Sequence, residues 1–321
     1  MQIKYTKNGI MYKTNSISVN LDPKRIVSKS INFVSHAHKD HLPTNSNNDG
    51  LILTSVETTK IANLYDISMK NFKESLDGFS LIDTDHVIGS KGLLFNDIFY
   101  TGDICIRHNN TTNISIPQCK ILITECTFGL PEFKFPKLHE IVKNVNQLIS
   151  DLYSKGIPVL LLGHAFGKAQ VLTKLFSHWS PIYYQHKVKQ INDLCITLGM
   201  NIPSGLTDVE ADKRGLLHKK PWIMIAPFMS EKNPFIIKMK SRFGAVTIGF
   251  TGWANSPRFF FGRQHDYSFP LSDHCDFNEL LSVVYKTNAE KVYTIHGFTK
   301  EFSDHLNKIG IESEPLNISN L

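Results

Sequence analysis

Three imidazoles and one carboxylate fall within six residues in the stretch Ser35-His36-Ala37-His38-Lys39-Asp40-His41, directly after the apolar, strand-like run 31–34. Imidazole and carboxylate groups are ligands for zinc, manganese and iron. In an extended segment His36 and His38 point the same way, whereas Asp40 and His41 are adjacent and cannot share that direction. The spacing therefore predicts ligands for two metal ions; the alternative is a polar loop with solvated histidines.

Further ligand-type residues stand where other apolar, strand-like runs end in turns. His86, Asp103 and His296 each follow such a run, and a glycine lies within three residues of each. Loops at the edge of a sheet are places where a rigid scaffold can direct functional side chains. A single histidine of this kind is more typical of a structural residue, but these positions together with the stretch 35–41 predict metal coordination.

The order of these residues resembles the ligand order of the metallo-β-lactamase fold: His-x-His-x-Asp-His, an isolated His, Thr-Gly-Asp and a late His. Four further segments resemble the nucleic-acid-processing (β-CASP) branch of that fold: Thr-Glu-Cys-Thr-Phe-Gly-Leu-Pro at 124–131, Ala-Phe-Gly-Lys-Ala-Gln at 165–170, Leu-Ser-Asp-His-Cys-Asp at 271–276 and Ile-His-Gly-Phe at 295–298. That branch includes mRNA 3′-end cleavage nucleases and DNA-repair nucleases. The segment 124–131 and Gly252-Trp253 resemble most the DNA-ligase-associated exonucleases within it.

The resemblance implies two divalent metal ions, zinc, with manganese as the alternative. It implies one site from His36, His38 and His86, a second site from Asp40, His41 and His296, and Asp103 as the bridge between them. Two metals about 3.5–4 Å apart polarise a phosphodiester and generate a hydroxide nucleophile near neutral pH.

Two further aspartates, Asp22 and Asp85, bear on this predicted ligand set. Asp22 matches an early aspartate of the family and either orients the ligand loop or forms an ordinary Asp-Pro turn. Asp85 departs from the family pattern, since a glycine is usual before the isolated histidine, and this bears on the metal preferred.

His274 and Glu125 separate a nuclease from a small-molecule hydrolase of the same fold. By the resemblance, His274 donates a proton to the leaving alkoxide and Glu125 holds that histidine in place. Asp40 is counted with them as catalytic in addition to its place among the metal ligands. Asp276, in contrast, is expected to cap the helix that follows it.

Composition and length fit a globular protein of one large or two ordinary domains. The chain has 321 residues, of which 41% are hydrophobic and 20% charged. Five cysteines without a CxxC pair imply neither a disulfide framework nor a cysteine zinc site, and they favour a cytoplasmic setting. Residues 1–14 lack the apolar core of a secretion signal, and no apolar run reaches membrane-spanning length. A net charge of +6 is compatible with a polyanionic substrate.

The organisation of the chain changes near His139. Short apolar runs broken by turns precede it and predict a strand-rich region. After it, apolar strands alternate with helical segments, which is typical of a parallel α/β sheet. We therefore predict an α/β fold: a metallo-β-lactamase αββα sandwich from 1–135 and 251–321, with a parallel α/β (β-CASP-like) domain inserted at 136–250.

Two basic segments are candidates for substrate contacts. Residues 163–168 are similar to a phosphate loop, but three residues instead of four lie between the two glycines, and Ala169 replaces the magnesium-binding hydroxyl. These departures exclude nucleotide hydrolysis. Gly167 and Lys168, at a helix start, could still contact a backbone phosphate. A second basic cluster could line a substrate channel or be solvated surface charge: Lys213, Arg214, Lys219 and Lys220.

The sequence thus predicts a binuclear-metal phosphodiesterase, a DNA exonuclease acting in repair. The first alternative is an RNA-processing nuclease of the mRNA 3′-end type. The second is a small-molecule metallohydrolase, which leaves Glu125, His274 and the insertion unexplained, and the third is a silent binding module, against which the intact ligand set argues. The expected partner is nucleic acid, and DNA is preferred to RNA. The resemblance implies a DNA ligase or a helicase as a further partner. No association with a membrane is expected.

Overall fold

The structure is a computed structural model that describes residues 1–44, 50–107, 114–254 and 265–317. The chain divides into two units: unit 1 comprises Met1–Lys134 and His274–Leu321, and unit 2 comprises Phe135–Asp273. None of the helices in the described ranges has the length and apolarity needed to cross a membrane. The expected α/β class is confirmed.

The first sheet of unit 1 contains six strands in the order β1-β2-β3-β4-β5-β6. They are β1 Gln2–Thr6, β2 Gly9–Lys13, β3 Ser18–Leu21, β4 Ile31–Phe33, β5 Leu51–Leu53 and β6 Phe72–Lys73. The pairs among β1, β2 and β3 are antiparallel, and the pairs from β3 to β6 are parallel. Because β4 ends at Phe33, the ligand-rich stretch 35–41 begins at the edge of this sheet.

The second sheet of unit 1 also has six strands, in the order β17-β16-β10-β9-β8-β7. They are β7 Ser80–Asp83, β8 Lys91–Phe95, β9 Ile98–Tyr100, β10 Ile121–Cys126, β16 Lys291–Gly297 and β17 Ser313–Pro315. Strands β9, β10, β16 and β17 run parallel, whereas β7, β8 and β9 are antiparallel neighbours. The carboxyl ends of β9, β10 and β16 therefore meet at one edge of the sheet.

Apolar side chains cover both faces of the second sheet. Phe33 from the first sheet packs with Ile123 in the core between the two sheets, while Leu122 faces the opposite core. That opposite core is formed with helices α7 (Phe277–Thr287) and α8 (Thr299–Lys308), whereas α1 (Val56–Asn63) follows the first sheet's β5. Burial of each such side chain stabilises the fold by about 1.5–3 kcal/mol.

Unit 2 is a five-stranded, wholly parallel sheet in the order β12-β13-β11-β14-β15. Its strands are β11 Val159–Gly163, β12 Ile182–Tyr184, β13 Ile223–Pro227, β14 Val246–Phe250 and β15 Tyr267–Phe269. Its helices are α2 Leu138–Ser154, α3 Lys168–Phe176, α4 His186–Thr197, α5 Asp208–Lys213 and α6 Pro234–Phe243, with a 3₁₀ turn at Leu216–His218. Leu161 and Leu160 of β11 lie in separate cores on opposite faces, as expected for a parallel sheet covered by helices on both sides.

The end of the inserted unit lies further along the chain than the predicted residue 250. Strand β15 pairs with β14, Phe250 standing opposite Phe269, and Leu271 packs in a core of unit 2. The unit therefore extends to Asp273. Its sequence does not show this, because β15 is only three residues long and none of them is fully buried.

The chain leaves and re-enters unit 1 at neighbouring points. Phe277 N donates a hydrogen bond of 3.0 Å to Phe133 O, both within unit 1. The two ends of the insertion are thus joined through the backbone of the host unit.

The close packing at this edge of the second sheet can be tested at Gly297, the last residue of β16. Gly297 has φ +71°, and a Cβ there would lie 2.3 Å from Cys126 O. We expect Gly297→Ala to lower the free energy of unfolding by about 1–2 kcal/mol for the left-handed backbone and by about 1–3 kcal/mol more for the steric contact. Urea denaturation followed by circular dichroism measures the loss.

Gly310→Ala is the matched control for this change. Gly310 has φ +85°, but a Cβ there would meet nothing within 4 Å, so only the backbone cost is expected. Equal losses in the two variants would contradict the close approach at Gly297.

Candidate metal centre

His36, His38, His86 and Asp103 bring four ligand atoms within 4.8 Å of one another. His38 Nδ1 lies 3.0 Å from both His36 Nε2 and His86 Nε2. Asp103 Oδ2 lies 3.5 Å from His36 Nε2 and 3.4 Å from His86 Nε2. A zinc ion with bonds of about 2.0–2.1 Å in tetrahedral geometry holds its ligand atoms roughly 3.3–3.4 Å apart. The four side chains therefore fit one metal ion.

The turn that carries His86 is closed by a serine hydroxyl. Ser90 Oγ accepts hydrogen bonds from His86 N at 3.1 Å and Val87 N at 3.2 Å. Asp85, just before the ligand, has φ +51°. This left-handed conformation favours glycine and accounts for the glycine that the family pattern has at this position. Burial raises the pKa of the Asp85 carboxyl, and the nearby Asp83 raises it further.

Asp22 is buried and fixes the orientation of His41. Its carboxylate accepts hydrogen bonds of 2.7 Å from Ser35 N, Ser35 Oγ and Tyr100 Oη, and lies 2.7 Å from His41 Nδ1. Burial alone would raise the pKa of Asp22, but the charge of His41 and these hydrogen bonds hold it below its ordinary value. His41 Nε2 is left facing Asp103 Oδ2 at 3.5 Å. A carboxylate on the far nitrogen of a ligating histidine is a common feature of metal sites.

The sequence alone does not single out Ser35 or Tyr100 as residues of this centre. Ser35 opens the ligand-rich stretch, so its hydroxyl is a signal that could have been used. Tyr100 stands 78 positions from Asp22, and no local pattern reveals that contact.

The second predicted ligand set is less tightly gathered. His41 Nε2 lies 3.9 Å from Asp40 Oδ2, and the ring centroids of His41 and His296 are 5.6 Å apart. Burial lowers the pKa of His41, but the carboxylates of Asp103, Asp22 and Asp40 together raise it to about 10. His41 also faces Asp103, with 3.5 Å between Nε2 and Oδ2, and the Asp40 side chain is 80% exposed.

His296 owes its position to an irregularity in β16. The pairing with β10 runs regularly to Glu125 opposite Ile295 and then shifts, so that Cys126 stands opposite Gly297. His296 is the extra residue and has φ +53°. A β-bulge of this kind redirects a side chain and is common beside functional sites.

His274 and Glu125 form a pair beside the four-ligand group. His274 Nδ1 lies 2.8 Å from Glu125 Oε1. Glu125 Oε1 also accepts from Ile104 N at 3.1 Å, and its Oε2 accepts from Thr127 N and Thr127 Oγ1. Burial would raise the pKa of Glu125, but His274 and these hydrogen bonds hold it below its ordinary value.

The His274–Glu125 pair lies directly beside the candidate metal ligands. Ligand-type atoms of Asp103, Glu125 and His274 lie within 4.8 Å of one another, and the rings of His86 and His274 are 4.5 Å apart. The side chain of His274 is 20% exposed, while that of Glu125 is 1% exposed. A partly exposed imidazole held by a buried carboxylate can serve as a proton donor.

The segment that carries His274 is fixed at both sides. Cys275 N donates to Ile104 O at 2.8 Å. Asp276 and Glu279 form a capping box at the start of α7, with both hydrogen bonds 2.9 Å long, and Arg107 Nε donates to Glu279 at 2.9 Å. The prediction that Asp276 caps this helix is confirmed.

Lys168 has an internal partner in place of the expected phosphate contact. Its Nζ lies 3.0 Å from Asp273 Oδ1, and the side chains of the two residues are only 5% and 4% exposed. An ammonium buried in an ion pair is not presented to a substrate phosphate. Gly167, with φ +89° at the start of α3, stays a predicted contact.

The four cations of the basic cluster are exposed on unit 2. Lys213 ends α5 and Arg214 follows it, while Lys219 and Lys220 follow the 3₁₀ turn. The neighbouring Asp212 already binds Lys238 and Arg242, at 3.0 and 2.9 Å. The role of the cluster in substrate binding stays a prediction.

Comparison with known proteins adds three findings. No family model matches the chain. The chain is 28% identical over 295 residues to a protein of Opitutus terrae named "Probable DNA ligase"; the match covers 88% of this chain and 28% of that protein's length. A crystal structure of a protein of unknown function from Enterococcus faecalis V583 has a TM-score of 0.65 at 15% identity, covering 99% of this chain and 96% of that one. The second likeness concerns the fold alone.

Asp22→Asn tests the buried carboxylate independently of any activity. The amide lacks the charge that pairs with His41 and presents an N–H where a hydroxyl donor points, so we expect a loss of about 3–5 kcal/mol in the free energy of unfolding. The measurement is urea denaturation of chelator-treated protein, which removes any contribution from bound metal.

Asp77→Asn is the control for this variant, because Asp77 is an exposed aspartate of the same unit. A change within about 0.5 kcal/mol is expected there. A similarly small change for Asp22→Asn would show that the carboxylate does not hold the ligand loop.

Proposed function

We propose that the protein is a metal-dependent nuclease that hydrolyses phosphodiester bonds in DNA. The observation that carries the proposal is the contiguity of the four-ligand group with the His274–Glu125 pair, joined through Asp103 within 4.8 Å. A metal-type cluster alone suits many hydrolases. A leaving alkoxide needs a proton, and a histidine held by a carboxylate beside the cluster can donate it.

The fold and the ligand order support a metallo-β-lactamase fold with a β-CASP-like insertion. On this proposal His36, His38 and His86 would hold one ion, Asp40, His41 and His296 would hold a second, and Asp103 would serve both. When bound, two such ions polarise a phosphodiester and lower the pKa of water. Zinc is the first choice for the imidazole-rich set and manganese the second.

Side chains of the protein carry out the remaining steps of the proposed reaction. Glu125 accepts from His274 Nδ1, which leaves His274 Nε2 to donate a proton to the departing oxygen. Asp22 keeps His41 in orientation, and the exposed Asp40 stands at the rim of the cluster, where a substrate phosphate arrives.

The substrate class rests on charge and on the Opitutus terrae relative. That relative is named a probable DNA ligase, which favours DNA over RNA for this chain. We propose that the exposed cluster containing Lys213 contacts the strand backbone. We also propose a cytoplasmic repair setting in which this nuclease works with a DNA ligase or a helicase. An RNA-processing role is the rival outcome of the assay below.

Metal dependence and substrate class can be tested together. We expect the purified protein to hold about two equivalents of zinc or manganese and to shorten end-labelled DNA, with all hydrolysis lost on chelation. Asp103→Asn should lose metal and activity while remaining folded, and Asp77→Asn should keep both. The measurements are elemental analysis and gel assays on matched single- and double-stranded DNA and RNA.

Two outcomes would contradict the proposal. One metal equivalent or none in an active protein would refute the two-ion assignment. Cleavage of small esters with no cleavage of nucleic acid would assign the protein to the small-molecule hydrolases.

His274→Ala separates proton donation from metal binding. We expect cleavage to slow by about 10²–10⁴-fold with metal content unchanged, because only the proton donor is removed. Glu125→Gln should give a milder defect in the same step. His139→Ala, an exposed histidine, is the control and should behave as the parent; loss of metal from His274→Ala would show that this histidine is a ligand.

A further inference from the structure

A buried ion pair of unit 2 stands next in the chain to the candidate proton donor. Lys168 Nζ lies 3.0 Å from Asp273 Oδ1, and both side chains are buried. Asp273 is the last residue of unit 2, and His274 is the residue at which the chain returns to unit 1. An interaction that fixes Asp273 therefore also restricts the backbone that carries the His274 imidazole.

Stability alone does not explain why a core contains such a pair. Removing an ammonium and a carboxylate from water costs free energy, and their mutual attraction offsets this cost only when the geometry is good. Apolar side chains of similar volume often stabilise the same space equally well or better. The ion pair does, however, fix a direction, because each charge is satisfied only where its partner lies. The Lys168–Asp273 pair is therefore suited to holding a backbone segment in one position.

The aliphatic stem of Lys168 is fixed by close packing at the start of α3. It lies across Gly163, the last residue of β11. A Cβ at Gly163 would stand 2.8 Å from Lys168 Cγ and 3.1 Å from Lys168 Cβ, so a side chain there would displace the stem. Glycine at position 163 leaves the room in which the lysine reaches Asp273.

A buried polar network holds the turn that precedes Lys168. Gln170 Oε1 accepts from Gly167 N at 2.7 Å, while Gln170 Nε2 donates to Ala165 O at 3.1 Å and to Asn192 Oδ1 at 2.8 Å. Gln170 and Asn192 are both buried, and Asn192 belongs to α4. Buried networks of satisfied hydrogen bonds make the surrounding structure rigid. The lysine therefore starts from a rigid part of unit 2.

His274 lies between two anchored neighbours in the chain. Asp273 before it is held by Lys168, and Cys275 after it donates from its backbone N to Ile104 O at 2.8 Å. A displacement of about 1 Å in a catalytic group can slow a reaction roughly 100-fold, even when the substitution that causes it lies far from the chemistry. Release of either neighbour should therefore misplace the imidazole.

We propose that Lys168 and Asp273 are positioning residues that align His274 for proton donation. The proposal rests on the proposed nuclease function and adds that residues of the inserted unit set the alignment of the proton donor. The pair acts through the peptide bond between Asp273 and His274, and Glu125 stays the hydrogen-bond partner of the imidazole. Loss of the pair slows the step in which the departing oxygen takes up a proton and leaves metal binding unchanged.

The test compares metal-loaded variants on the strand that the parent cleaves. Lys168→Met and Asp273→Asn are combined, because the pair variant then buries no unpaired charge and can fold. We expect its kcat to fall about 10- to 100-fold, with KM and metal content close to those of the parent. Lys168→Arg keeps the charge and should retain most of the rate. Gly163→Ala keeps both charges but displaces the lysine stem, so a smaller fall in kcat is expected.

A strand with sulfur in place of the departing oxygen separates alignment of the proton donor from a general structural effect. Because a thiolate leaves without a proton, we expect the pair variant to cleave this strand within about two-fold of the parent. The matched control is Lys189→Met with Asp193→Asn, an ion pair on α4 of the same unit, which should cleave both strands as the parent does. Equal falls on both strands, no fall on either, or loss of metal from the folded pair variant overturns the proposal.

A second measurement uses the non-additivity of residues that act together. In the His274→Ala background no imidazole remains to be aligned, so the two pair substitutions should slow cleavage no further. A purely structural pair would instead multiply the loss in rate that His274→Ala causes. Multiplied losses therefore contradict a role that acts through His274.

Failure of this proposal is distinguishable from failure of the proposed function. If the parent cleaves nucleic acid in a metal-dependent reaction and the pair variant cleaves it equally fast, the positioning role is wrong and the nuclease stands. If the parent cleaves no nucleic acid, both are wrong.

Discussion

The buried carboxylate of Asp22 is the interaction on which the candidate centre depends. It joins the end of β3, the ligand loop through Ser35 and His41, and the second sheet through Tyr100. A buried charge is costly unless it is paired and hydrogen-bonded. The carboxylate is therefore satisfied only when both sheets are in register, and the same event orients a histidine of the ligand loop. Formation of the fold and formation of the centre are one process.

Half of the four-ligand group, His36 and His38, was accessible from sequence because the two residues are close in the chain. The spacing of His36 and His38 on one segment, and the capping signal at Asp276, depend on chemistry within a few residues. Other features depend on partners that are distant in the chain. His296 is turned by a shift in its pairing with Glu125–Cys126, and Lys168 is buried by its contact with Asp273. A strand as short as β15 has too few residues for an alternating apolar pattern to be recognised in its sequence.

The residues of the proposed reaction centre lie wholly in unit 1, whereas the basic cluster that contains Lys213 lies in unit 2. Every ligand-type residue of the four-ligand group, and both members of the His274–Glu125 pair, come from unit 1. On the proposed function, the residues of the reaction centre therefore all come from one unit. The Opitutus terrae relative, matched over 28% of its length, shows that a chain of this kind also occurs within a larger protein.

The hydrogen bond between Phe133 and Phe277 has a consequence for how such proteins diversify. When the two ends of an insertion leave the host unit side by side, the surrounding strands need not rearrange to accommodate it. Units of different size and charge can be exchanged at this point while the ligand loops stay as they are. On the proposed function, substrate range can then change by modular replacement, without any substitution among the residues of the candidate centre.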